Sequence, residues 1–129
     1  MRFHKINMKI LIVEDDDILY KVLQEKFEDQ NFDVAIAKEG DQVIPMAKKF
    51  KPDIIILDIL LPKIGGVEVL SYLKSDDELA NIPVIALSDV DDEKIIKEIL
   101  ILGAVEYLVK TDHPINEVIE KINKYLLKV

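Results

Sequence analysis

The 129-residue chain has no cysteine and no tryptophan, two histidines and four glycines. Without cysteine there is no disulfide, thiolate zinc site, iron–sulfur cluster or cysteine nucleophile. The histidines, His4 and His113, have no helical histidine partner at ligand spacing, so an imidazole metal site is not expected. No apolar run approaches the roughly 18 residues of a membrane span, and the N-terminus lacks a signal-peptide core. Positive charge is also short. The 17 Lys and Arg residues against 25 Asp and Glu leave a net charge of −8, which repels a nucleic-acid backbone. The chain therefore reads as soluble and cytoplasmic, with no membrane and no direct nucleic-acid partner.

What is present has a clear order. At roughly 150 residues per domain the length predicts one domain, and 50% hydrophobic with 33% charged residues is globular composition. Short, nearly continuous apolar runs occur at Ile10–Val13, Ile54–Leu57, Pro83–Leu87 and Tyr107–Val109. Such runs fit strands buried on both faces. Phe32–Ile36 alternates instead, as expected of a strand nearer an edge. Between the runs lie helical stripes. Ile18, Leu19, Val22, Leu23 and Phe27 form the first, and Val67, Leu70 and Leu73 a shorter one after Gly65 and Gly66. Ile95, Ile96, Ile99 and Leu100 form another, entered through Asp91 or Asp92 and stopped by Gly103. The last carries Ile115, Val118, Ile119, Ile122 and Leu126, with Pro114 in its first turn. A helix near Asp41 to Phe50 contains Pro45, which removes a backbone bond, so it is predicted to kink or to begin only near Ile44. Five strands alternating with five helices predict an α/β fold, a doubly wound five-stranded parallel sheet with helices on both faces. Residues 1–7 carry no core signal and read as a flexible leader, leaving 8–129 as the domain.

The chemistry gathers where the strands end. Val13 is followed by Glu14, Asp15, Asp16 and Asp17, Leu57 by Asp58, Leu87 by Ser88, and Val109 by Lys110. Ligands of open parallel sheets bind outside the carboxyl ends of the strands. Four strands thus deliver carboxylates, a hydroxyl and an ammonium to one region. Asp58 interrupts an apolar run from Ile54 to Leu61, and a carboxylate there is costly unless paired or bound to metal. Each residue alone has a plainer reading: a turn aspartate, helix-start charges, a turn hydroxyl, a solvated strand end. Together they suit phosphoryl transfer. Clustered carboxylates hold a hard cation such as Mg²⁺, a hydroxyl and a lysine hold the remaining oxygens, and Asp58 serves as a carboxylate nucleophile. No Gly-rich Walker loop supports a nucleotide triphosphate.

These stretches resemble the response-regulator receiver domain of two-component signalling. The resemblance runs from about Met8 to Val129. It rests on Lys9 to Asp16 with the acidic pair, Asp53 to Pro62 followed by Gly66, Pro83 to Ser88, and Gly103 to Lys110. It implies a flavodoxin-like (βα)5 fold with strand order 2-1-3-4-5. It further implies Asp58 as the phosphoacceptor, and Glu14, Asp15, Asp58 and the backbone carbonyl of Leu60 as Mg²⁺ ligands. Ser88 and Lys110 would act on the phosphoryl group, and Ser88 and Tyr107 would form the switch. The implied donor is a histidine kinase or histidine phosphotransfer protein, the output an unidentified downstream protein, with room for a phosphorylation-dependent dimer. Catalysis would be confined to the protein's own phosphorylation and dephosphorylation. With no output module after the last helix, the expectation is a stand-alone receiver or a fragment of a longer chain. Two positions depart from the family pattern. Asp89 replaces a small residue beside the hydroxyl. Thr111 replaces a proline with a cis bond, and since a non-proline cis bond costs about 2.5–4 kcal/mol, a trans bond is expected after Lys110. Both departures leave open a degenerate pseudo-receiver that binds proteins without phosphorylation. A phosphatase of the haloacid-dehalogenase type would need a second aspartate where Leu60 stands.

Overall fold

The alternation of side chains along each apolar run decides which helices cover which face. A computed structural model describes residues 7–126. The order is β1 (Lys9–Val13), α1 (Asp17–Asp29), β2 (Asp33–Ala37), α2 (Val43–Phe50), β3 (Ile54–Leu57), α3 (Gly66–Ser75), β4 (Val84–Ser88), α4 (Glu93–Leu102), β5 (Glu106–Val109) and α5 (Ile115–Leu126). Short 3-10 turns at Gly40–Gln42 and Lys110–Asp112 precede α2 and follow β5. All strand pairs are parallel, as the alternation predicts, and their order is β2-β1-β3-β4-β5, as the resemblance implies.

Leu11, Val13, Ile55, Leu57, Val84 and Ala86 pack with Ala47 of α2, Leu70 and Leu73 of α3 and Ile99 of α4. The alternate residues Ile10, Ile12, Ile54, Ile56, Ile85 and Leu87 pack with Leu23 and Phe27 of α1 and Val118 and Ile122 of α5. Fully burying one such aliphatic side chain contributes roughly 1.5–3 kcal/mol. Two apolar layers therefore hold the sheet rigidly from both sides, and its carboxyl edge becomes a fixed platform.

Several expectations are refined. Helix α2 begins at Val43, so Pro45 is its third residue, where the missing N–H belongs to the unpaired first turn anyway. On α1 the buried residues are Tyr20, Leu23 and Phe27, whereas Ile18 is 79% exposed and does not join the core. Leu100 on α4 likewise faces outward, while Ile99 is buried. The expected leader at residues 1–7 falls almost wholly outside the described residues, as does His4; Asn7 is described, and its side-chain amide donates to Asp33 at 3.3 Å. Among the described residues no helix is long and apolar enough to cross a membrane.

Candidate functional site

Strand register assembles the site. Val13 of β1 is level with Leu57 of β3, and Ser88 of β4 is level with Val109 of β5. The ladder continues one residue further, because the Asp58 N–H donates to the Val13 carbonyl at 3.0 Å and the Glu14 N–H to the Ala37 carbonyl at 3.0 Å. Glu14 and Asp58 are thus held like strand residues and are buried, at 2% and 4% exposure. Asp15, one step further on, is exposed. Asp16 starts the helix: its side chain accepts from the N–H groups of Ile18 at 3.0 Å and Leu19 at 3.2 Å.

Lys110 closes the cluster. Its Nζ lies 2.7 Å from Glu14 Oε1 and 3.0 Å from Asp58 Oδ2. The bond to Thr111 is trans, as expected, and the lysine still reaches both carboxylates. The other oxygen of Asp58, Oδ1, accepts the Leu60 N–H at 3.1 Å, while the Leu60 side chain is mostly exposed. Both carboxylate oxygens of Asp58 therefore have donors. Burial pushes the Glu14 carboxyl up to about 7; Lys110 opposes the rise and the charge of Asp58 adds to it. For Lys110, burial alone would lower the ammonium's pKa, but bonds to Glu14 and Asp58 outweigh it and hold the value above that of an ordinary lysine.

One ammonium does not neutralise this cluster. Carboxylate oxygens of Glu14, Asp15 and Asp58 lie within 4.8 Å of one another. Three hard oxygen donors with surplus negative charge, two of them in buried side chains, fit a divalent cation of the Mg²⁺ type.

The hydroxyl singled out in the sequence ends β4. Ser88 is fully buried, and its Oγ accepts the Val90 N–H at 3.4 Å. The hydroxyl of Tyr107 donates to the Val90 carbonyl at 2.6 Å, and burial raises its pKa. Asp89, the unusual neighbour of Ser88, is exposed. The backbone of Val90 therefore joins the serine to the tyrosine. That link has no sequence signal, because any residue supplies an N–H and a carbonyl. The Glu14–Lys110 pair was equally hidden: β1 and β5 stand three strand spacings apart, about 14 Å, and only two long side chains bridge that gap.

Comparison with known proteins extends these observations to the whole chain. The model of the response regulator receiver domain matches residues 10–123. The polar-differentiation response regulator DivK of Brucella anthropi is 32% identical over 120 residues, covering 91% of this chain and 94% of DivK. The alkaline phosphatase synthesis transcriptional regulatory protein PhoP of Bacillus subtilis is 34% identical over 109 residues, covering 84% of this chain but 45% of PhoP. This chain thus spans less than half of PhoP and nearly all of DivK. The BeF3-activated N-terminal receiver domain of Klebsiella pneumoniae RstA superposes with a TM-score of 0.83 at 26% identity, covering 92% of this chain and 97% of that one. The matched span holds nearly the entire sheet and every residue of the acidic cluster, and on that ground the chain belongs to the response regulator receiver domains of two-component systems.

Proposed function

We propose that Asp58 takes a phosphoryl group from a phosphohistidine of a histidine kinase or histidine phosphotransfer protein, with Mg²⁺ held by Glu14, Asp15, Asp58 and the Leu60 carbonyl. The observation that carries this reading is a buried carboxylate at the end of a central strand, paired with Lys110 and ringed by two further acids. In the transfer, an Asp58 oxygen forms a bond to phosphorus as the phosphorus–nitrogen bond of the donor breaks. The imidazole leaves with that electron pair. Lys110, already 3.0 Å from the Asp58 carboxylate, is placed to balance charge on the transferred oxygens. Ser88 offers a hydroxyl from the neighbouring strand end. A bound divalent cation supplies positive charge toward the same oxygens. The output is a protein-binding surface that changes with phosphorylation, and Ser88 and Tyr107 couple it to Asp58.

The test is incubation with acetyl phosphate and Mg²⁺ followed by intact-mass measurement. The parent gains one phosphoryl group, and Asp58→Asn gains none while remaining folded, because an amide is not a competent nucleophile. Equal labelling of the variant overturns the assignment of Asp58. A parent that gains nothing favours a phosphorylation-independent interaction module.

A further inference from the structure

We propose that Gly40 is a positioning residue for the metal site. Its bare backbone lets the turn after β2 clamp the β3–α3 loop, which presents Leu60 to Asp58. The inference rests on the reading that the Leu60 carbonyl and the three carboxylates hold Mg²⁺.

Gly40 is buried and lies outside the acidic cluster. Its backbone conformation does not demand glycine, since among the described residues Gly103 is the one glycine with positive φ. The demand is for space. A Cβ on Gly40 would overlap the carbonyl oxygen of Ile64 and lie 2.8 Å from its carbonyl carbon and 2.9 Å from its Cβ. The Gly40 N–H also donates to the Pro62 carbonyl at 3.1 Å. That same carbonyl accepts the Ile64 N–H at 3.0 Å around Lys63, whose φ is 73°. An i to i+2 bond around a positive φ is the rarer, strained form of the three-residue turn. Such a shape persists where its surroundings over-determine it. Gly40 supplies that constraint from a separate loop.

At its other end the loop is fixed by Gly66, whose N–H donates to the Ile59 carbonyl at 2.9 Å and whose Cβ would come 2.5 Å from the Ile59 Cα. Between the two clamps lies Leu60, whose N–H orients Asp58 Oδ1. A side chain at position 40 must push Ile64 and Pro62 aside, and the displacement falls on the segment that carries Leu60.

Mg²⁺ titration of the unphosphorylated protein, followed by NMR, tests this. Gly40→Ala should weaken Mg²⁺ binding about tenfold, the scale of outer-shell changes at metal sites. Gly65→Ala in the same loop should bind like the parent, because a Cβ there meets nothing within 4 Å. Ile99→Val, in the core away from the site, should lower stability and leave Mg²⁺ affinity alone; a matching loss of affinity would mean that general destabilisation explains the effect and would overturn the proposal. Should Gly40→Ala not fold, Gln42→Ala serves instead. Gln42 Oε1 accepts the N–H groups of Lys38 at 2.9 Å and Glu39 at 3.1 Å, so its loss loosens the same turn without adding atoms. A smaller drop in Mg²⁺ affinity is expected, and parent-like affinity overturns the proposal. Asp15→Asn separates the two readings. If it leaves Mg²⁺ affinity unchanged, the metal site lies elsewhere and the role of Gly40 falls with it. If it weakens binding while Gly40→Ala does not, the positioning role alone is wrong.

Discussion

At the scale of single residues, Glu14 carries the cost of assembling this site. In the unfolded chain its carboxyl has an ordinary value near 4.5, whereas in the folded protein burial lifts it to about 7. The folded state therefore binds more protons between these values, and stability falls as pH rises through that window. The loss is at most about 3.5 kcal/mol, since each unit is worth about 1.4 kcal/mol. The contribution from Lys110 has the opposite character, because its raised value keeps the ammonium charged throughout and its stability is lost only in strongly alkaline solution. Urea unfolding in EDTA should thus show a midpoint that declines from pH 5 to pH 8. Glu14→Gln should flatten that decline, as the amide still accepts from Lys110 without carrying charge. A parent curve that is level over this range would contradict the burial argument. Asp58 was legible in the sequence because it breaks an eight-residue apolar run from Ile54 to Leu61. Glu14 was legible as an acid but not as a buried one, since its burial depends on the ladder extending past Val13 to the Ala37 carbonyl.

At the scale of elements, boundaries written by backbone chemistry were readable and faces written by packing less so. Asp92 caps α4 by accepting from Lys94 at 2.9 Å and Ile95 at 3.4 Å, and Gly103 ends it. Gly103 has a φ of 117°, and its N–H closes onto the carbonyls of Ile99 and Leu100. A Cβ there would touch only the flexible Lys74 side chain, at 3.4 Å, so the penalty for Gly103→Ala comes from the backbone and not from crowding. That variant should lose about 1–2 kcal/mol of stability by chemical denaturation; an unchanged midpoint would mean that the helix end relaxes freely. Two residues of the expected stripes face outward, Leu100 and, further out, Ile18. Ile18 precedes Leu23 by five positions, which at 3.6 residues per turn places it about 140° around the helix. Tyr20 takes the inward position instead, with Lys38 Nζ 5.0 Å from its ring centroid. Counting apolar residues favoured Ile18, whereas helical angle favours Tyr20.

At the scale of the whole molecule, a sheet buried between two apolar layers leaves few parts free to respond when Asp58 changes. Strict βα alternation made this architecture legible, because parallel strands need crossovers and right-handed crossovers fill both faces. On the proposed reading, the part expected to respond is the segment between β4 and α4, which begins at Ser88 and reaches the α4 cap at Asp92. In the structure this segment is tied to β5 by the 2.6 Å bond from the Tyr107 hydroxyl to the Val90 carbonyl. If a phosphoryl group on Asp58 draws Ser88 toward it, as proposed, that movement would pull against this tie and shift the balance between two packings. Beryllofluoride with Mg²⁺, a phosphoryl mimic, should therefore move the amide resonances of Val90, α4 and β5, while α2 and β2 stay still. A neutral hydrogen bond contributes about 1 kcal/mol, or roughly a fivefold change in a two-state population. Removing it with Tyr107→Phe should place the α4 amides of the unliganded variant part of the way along the path that the mimic drives in the parent. If those amides superimpose on the unliganded parent, or if the mimic moves α2 and β2 instead, the Val90 tie does not set the balance.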